Sequence, residues 1–311
     1  MITVKNISLI KKIIKTKIIK LKLLKNNKPL KTSLIIPNYI GYFGKFLEFF
    51  SVKLASFFAI KLFTTPVSFP LPKREHYMLK SAQIKRLIVD EINKEIEIIS
   101  YGYSKKKVML VHGWSGRSTQ LYAFADKLLE NGYMVISFDG PAHGNSSGTT
   151  TMMPEFLETI KKINSTYGPF EAAIGHSFGA TSLYNAASDF LKIKTFIAIG
   201  SGDKISDIIL NFARNLYLKD KTAKKIQSEL EKKWKINIDN FSSSIVAKNI
   251  HIPVMIVHDY LDGDVPVSCG YRIRQSLSKG SLLITNGLGH TKILRNKEIV
   301  DKSIEFIKRH S

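Results

Sequence analysis

A serine with glycine two residues away on each side, Gly175-His176-Ser177-Phe178-Gly179, follows an apolar run at 170–174 and precedes a helix-compatible run from Ala180. A chain passing from a buried strand straight into a helix must turn sharply at that serine, and the glycines remove the side chains that would collide there. The turn leaves a hydroxyl at the mouth of a sheet, beside a helix N-terminus that favours negative charge. Taken alone, the five residues also fit a glycine-rich strand–helix turn. The pattern of the whole chain separates the two readings.

From about residue 81 the chain alternates two kinds of signal. Residues 84–89 and 96–101 read as a hairpin of strands. Short apolar runs at 108–111, 134–138, 172–174, 195–199, 254–257 and 282–285 suit buried strands. Helical patterns fall between or after them at 119–130, 154–163, 182–190 and 292–309. A hairpin followed by strand–helix repeats predicts an α/β fold, a mainly parallel sheet with helices on both faces. The 311 residues suffice for one large core.

Chain order then supplies partners for the serine. The run at 253–257 leads into His258-Asp259-Tyr260-Leu261-Asp262-Gly263-Asp264-Val265-Pro266, and the run at 281–285 ends in Asn286-Gly287-Leu288-Gly289-His290. An acyl-transfer site needs a base for its serine and an acid that fixes the tautomer of that base. Ser…Asp…His places all three at the carboxyl edge of the sheet, where α/β folds carry their sites. Asp259, Asp262 and Asp264 all qualify as the acid.

Four motifs in register give the chain a resemblance to the α/β-hydrolase superfamily, over roughly residues 86–310. Val108-Met109-Leu110-Val111-His112-Gly113-Trp114 resembles the strand and His-Gly turn of the oxyanion hole. Phe138-Asp139-Gly140-Pro141-Ala142-His143-Gly144-Asn145-Ser146 is similar to the Asp-x-Pro-x-x-Gly-x-Ser loop. Gly175–Gly179 matches the nucleophile elbow, and the acid and histidine loops complete the set. The resemblance implies Ser177 as nucleophile, His290 as base, and Asp262, four positions before Pro266, as acid. It implies the backbone N–H groups of Trp114 and Phe178 as the oxyanion hole.

The segment 203–249 sits where that superfamily inserts a cap, with helical patterns at 205–217 and 222–234. Ile209, Phe212, Leu216 and Trp234 are candidates for its underside, or alternatively for packing the cap onto the core. Phe212, Trp234, His112 and His176 are the pocket candidates; His112, with His143, also reads as a residue that structures its loop. The expected reaction is hydrolysis of a carboxylic ester or thioester through an acyl-serine. Acyl transfer, peptide-bond cleavage and an idle binding module of the same fold are the alternatives.

No metal or organic cofactor is expected. The three aspartates around Gly263 lack the spacing of a calcium loop, whose twelfth position would fall on Gly270. No G-x-x-x-x-G-K-[ST] or G-x-G-x-x-G phosphate cradle occurs.

The formal net charge of +22 is concentrated at the start: ten lysines fall within residues 1–31, and the first acidic residue is Glu48. Lysine far outnumbers arginine, and no zinc-finger, RNP-like or helix-turn-helix signature occurs, which disfavours nucleic acid as a partner. Residues 1–32 form a basic extension whose apolar positions between 9 and 24 follow helical spacing, with Lys17 and Lys20 out of pattern. Residues 33–80 crowd phenylalanine and leucine together with no wide polar face and no span-length apolar run. Such a helix is expected to be buried against the hydrolase domain, residues 81–311. With the tail, residues 1–63 are the candidate contact with an anionic membrane surface. Lysines interrupt every apolar stretch near the start, against a cleaved signal peptide. The expected location is the cytoplasm, free or peripheral to the membrane. One cysteine, Cys269, rules out an intramolecular disulfide.

Overall fold

The computed structural model describes residues 28–311, so the helical pattern expected over 9–24 lies outside the described residues. Eight strands form one sheet: β1 (Gln83–Val89), β2 (Lys94–Tyr101), β3 (Lys107–Val111), β4 (Met134–Phe138), β5 (Ala172–His176), β6 (Thr195–Ile199), β7 (Val254–Asp259) and β8 (Gly280–Thr285). Their spatial order is β1-β2-β4-β3-β5-β6-β7-β8. β1 pairs antiparallel with β2, and β2 with β4; every other pairing is parallel.

The short apolar runs are strands because both faces of the sheet are covered. Successive residues point to opposite faces, so Ala173 of β5 enters one core while Ala172 and Ile174 enter the other. One core holds Phe156, Ile160 and Ile163 of α5 (Met153–Tyr167) with Leu183 and Tyr184 of α6 (Phe178–Asp189). The other holds Met78 of α3 (His76–Ser81), Phe124 and Leu128 of α4 (Tyr122–Glu130), and Ile299, Ile304 and Ile307 of the C-terminal helix (Lys297–His310).

A third cluster stands apart from the sheet. It joins the cap helices α7 (Ile205–Asn215) and α8 (Asp220–Trp234) to an N-terminal pair, α1 (Asn38–Phe50) and α2 (Val52–Thr64). Ser51, in extended conformation, ends α1 and caps α2 by accepting the Leu54 N–H at 3.4 Å.

The sequence led us to expect the large apolar residues of this segment inside. The structure buries the small ones instead. Gly41, Gly44, Ala55, Ser56 and Ala59 face the cap, and most of the phenylalanines face out. Close approach is the reason. A Cβ on Gly41 would stand 2.7 Å from the Tyr217 ring, and one on Gly44 would stand 3.3 Å from the Leu216 carbonyl. Glu48, also buried, accepts the Lys219 N–H at 2.9 Å and the Thr222 hydroxyl, satisfying donors at the start of α8.

Candidate active site

Ser177 occupies the bend between β5 and α6 with φ 51° and ψ −116°, a conformation that L-residues rarely adopt. Its amide donates to the Ile199 carbonyl of β6 at 2.8 Å, which fixes the bend to the sheet. The two glycines make room for different neighbours. A Cβ on Gly175 would meet the backbone of Ala180 at 2.8 Å, on the helix just started. One on Gly179 would meet the carbonyls of Val111 and His112 at 2.3 and 2.4 Å, on the adjacent strand β3 and its loop.

The acid and histidine loops meet beside this bend. His290 Nδ1 and Asp262 Oδ2 are 2.7 Å apart and both groups are buried. Asp262 Oδ1 also accepts the N–H groups of Asp264 (2.8 Å) and Val265 (2.9 Å). Burial alone would depress the His290 imidazole; the hydrogen bond and charge of Asp262, with the charge of Asp264, outweigh it and raise the imidazole above its ordinary value. Burial likewise pushes the Asp262 carboxyl up, but His290 and the Val265 N–H hold it below the usual carboxylate range.

The neighbouring aspartates do other work. Asp259 ties the ends of β7 and β8 together, accepting from Leu261 N, Thr285 Oγ1, Gly287 N and Leu288 N. Asp264 accepts both the N–H and the hydroxyl of Ser33. Asp262, Asp264 and His290 offer ligand atoms within 4.8 Å of one another, a spacing that suits a metal ion. Here those atoms are engaged with each other and with Ser33. His258 lies beneath, its Nε2 donating to the Val265 carbonyl at 3.0 Å.

On the other side of Ser177, the loop after β3 is pinned by two buried histidines. His112 donates through Nδ1 to the Gly113 carbonyl (2.7 Å) and accepts the Gly140 N–H through Nε2 (2.8 Å). His143 donates to the Pro141 carbonyl (2.9 Å) and accepts the Ser115 N–H (3.0 Å). Burial is the main cause that pushes His112 down to about 4 and His143 down to about 3. Asp139 holds the same turn through Ser118 N and Asn145 N, both at 2.7 Å. The rings of Trp114 and Phe178 meet edge to face at 5.4 Å. Phe178 opens α6, so its N–H has no intrahelical acceptor. Among the described residues the Trp114 N–H donates to no other group.

A cavity of about 1440 Å³ opens over this group, and Trp114, His176, Ser177, Phe178 and His290 line its floor. Phe212 lines it from the cap. His176 also donates through Nε2 to the His290 carbonyl at 3.0 Å, and burial above all pushes it down to about 3.

Two pocket candidates are corrected. His112 does not line the cavity, because both its ring nitrogens are engaged beneath the loop after β3. Trp234 does not line it either; its ring is packed in the cluster between cap and N-terminal pair. Ile209 and Leu216 are buried in that same cluster.

Sequence reading missed a wall of the cavity. Residues 32–37, Ile40, Leu62, Phe63 and 65–67 line it, all from the N-terminal segment. The crowding of apolar residues there was the available signal, and Pro37 and Pro66 mark its extended stretches.

A family profile described as alpha/beta hydrolase fold matches residues 106–228. None of the curated proteins matches the chain. Among solved structures, a Pyrococcus furiosus esterase is 18% identical, with a TM-score of 0.61 over 79% of this chain and 98% of its own. An esterase from Exiguobacterium antarcticum is 15% identical, with a TM-score of 0.56 over 73% of this chain and 100% of its own. A bromoperoxidase from Bacillus anthracis aligns with the same identity, TM-score and coverage. With the strand order and the bend at Ser177, these findings give the class: the chain has the α/β-hydrolase fold. Similarity at this level extends to the fold and not to the reaction.

Proposed function

We propose that the protein is a serine hydrolase that cleaves a carboxylic ester or thioester. The observation that carries this reading is the buried His290–Asp262 hydrogen bond, whose His290 lines the same cavity as Ser177. The Nδ1 atom of His290 carries the proton that Asp262 accepts, so Nε2 is the free basic nitrogen. It takes the Ser177 proton as Oγ bonds to the substrate carbonyl carbon. The electron pair of the carbonyl moves onto its oxygen, which accepts from the N–H groups of Phe178 and Trp114. Losing one such donor typically costs about 2.7–4 kcal/mol of transition-state stabilisation.

Collapse of the intermediate expels the alcohol or thiol, which leaves with the proton from His290. Water then repeats the sequence on the acyl-serine, frees the acid and restores the hydroxyl. The low-lying values of His112, His143 and His176 make them poor proton carriers at neutral pH, which leaves the base role to His290.

The test is labelling with a fluorophosphonate, beside turnover of p-nitrophenyl esters of rising chain length. Wild type is expected to label and turn over, and Ser177→Ala to do neither. A folded wild-type protein that neither labels nor turns over would overturn the proposal.

A further inference from the structure

More than half of the exposed large hydrophobic side chains among the described residues lie between Leu30 and Phe69. On α1 they are Tyr39, Tyr42, Phe43, Phe46, Phe49 and Phe50, at helical spacing; Phe49 is 85% exposed and Phe50 65%. The rings touch one another in series: Phe43–Phe46 at 6.5 Å, Phe46–Phe50 at 5.0 Å and Phe49–Phe50 at 5.3 Å between centroids. Leu54 and Phe57 extend the face onto α2. A soluble surface rarely leaves an apolar patch of this kind open, and a pair of helices rarely packs its small face inward and its aromatic face outward.

The charge around the patch has one sign. Between residues 28 and 64 the chain carries Lys28, Lys31, Lys45, Lys53 and Lys61 against a single acid, Glu48, which is buried toward the cap. Lys45, Lys53 and Lys61 are exposed and in no ion pair among the described residues. Glu229 of α8, which feels the charge of Lys53, is already paired with Lys225 at 2.7 Å. The sequence before residue 28 adds eight more lysines and no acid.

We infer that the outward face of α1 and α2 docks on an anionic lipid bilayer, lying in the interface with its aromatic rings inserted and its lysines among the headgroups. Aromatic rings favour the headgroup level, and lysines gain from anionic lipid nearby. Each helix has 13 residues, and no helix among the described residues is long and apolar enough to cross a membrane. A second copy on the same face would set lysine against lysine across a two-fold axis, which charge disfavours. The inference stands on the surface alone and goes beyond the proposed reaction.

One consequence rests on the hydrolase reading. The wall of the cavity formed by residues 34–37, Ile40, Leu62 and Phe63 belongs to the two ends of this helix pair, so the cavity borders the docking face. An acyl chain would pass from the bilayer to Ser177 along an apolar wall, which makes a membrane-resident acyl lipid the fitting substrate class.

The test uses the full chain and sedimentation with phosphatidylcholine vesicles, with and without phosphatidylglycerol. Wild type is expected to pellet with the anionic vesicles and to bind them less as salt rises. Phe46→Gln/Phe49→Gln/Phe50→Gln is expected to weaken binding roughly a hundredfold, from three partly exposed phenylalanines taken out of the interface. Lys45→Gln/Lys53→Gln/Lys61→Gln is expected to lose roughly tenfold, chiefly in its preference for anionic lipid. Leu54→Gln/Phe57→Gln on α2 serves in place of the first variant should that one melt early. Wild-type binding that the phenylalanine changes leave intact would assign binding to the tail and overturn the inference. So would a wild type that pellets with neither vesicle, or one whose exposed rings mediate a dimer instead. Binding needs no turnover, so an idle Ser177 would sink the hydrolase reading and leave this result readable.

Discussion

Replacing Asp262 with asparagine removes one charge and no heavy atom, which isolates what the buried pair does. In the native site Oδ1 accepts the Asp264 and Val265 N–H groups at 2.8 and 2.9 Å, and Oδ2 accepts Nδ1–H of His290 at 2.7 Å. The carbonyl oxygen of asparagine stays with the two backbone donors. Its NH₂ then faces His290 Nδ1, and two donors cannot pair. The imidazole answers by moving its proton to Nε2, the nitrogen that must accept from Ser177. Triads caught in the wrong tautomer lose about 10⁴ in kcat, equivalent to ~5.4 kcal/mol of barrier. The pH profile should move as well. On the proposed mechanism, wild-type kcat/KM should rise as His290 loses its proton, and Asp262 should set that rise above the ordinary 6.5. Without the charge, burial dominates and the residual activity rises at lower pH. The assay is kcat/KM for a p-nitrophenyl ester from pH 5 to 9, with circular dichroism to confirm folding. Asp264→Asn, which keeps the pair, weakens the contacts to Ser33 and removes only the lesser of the two charges that raise His290, should stay within about threefold of wild type. An Asp262→Asn enzyme within tenfold of wild type, beside a collapsed Asp264→Asn, would refute the assignment of the acid.

Three further outcomes follow from the packing. His112, His143 and His176 are buried and neutral down to about 4, 3 and 3, whereas an unfolded chain takes up these protons near 6.5. Below 6.5 the unfolded state therefore binds more protons, and the urea midpoint should fall between pH 7 and 5; a flat midpoint would contradict the burial of these rings. Gly179→Ala places a methyl 2.3 Å from the Val111 carbonyl, so it should cost about 3 kcal/mol or more in chemical denaturation, and a neutral result would deny that contact. Glu48→Ala leaves the Lys219 and Thr222 donors without their acceptor, at about 1–3 kcal/mol; limited proteolysis should then cut between α2 and α3 faster than in wild type.

The strands were legible because a sheet covered on both faces needs unbroken apolar runs, and runs such as 134–138 and 195–199 coincide with β4 and β6 residue for residue. The bend at Ser177 was legible because glycine is the only residue that fits its two close contacts. The N-terminal pair was not. Reading hydrophobicity assigns the largest side chains to the interior, whereas here docking depends on Gly41, Gly44 and Ala59, and on a buried glutamate that satisfies α8. Small residues carry little hydrophobic signal, so a face built from them is silent in a sequence. His112 and Trp234 fail as pocket residues for a related reason, His112 keeping only the loop-structuring role the sequence also suggested: residue type says that a ring is fit for a pocket, not that its polar atoms or packing partners lie elsewhere.

The three aspartates around Gly263 show how the backbone resolves what spacing leaves open. Asp259 closes the strand ends, Asp262 faces His290, and Asp264 reaches outward to Ser33. The last contact joins the N-terminal segment to the site. Leu30 donates its N–H to the Leu261 carbonyl at 2.9 Å, and its own carbonyl lies so near Gly263 that a Cβ there would meet it at 1.9 Å. A Cβ on Gly289 would meet the Leu30 side chain at 2.9 Å, one residue before His290. The chain thus crosses both the acid loop and the histidine loop before Asn38 begins α1. Residues 30 to 64 run without interruption from the backbone that carries Asp262 and His290 to the aromatic face.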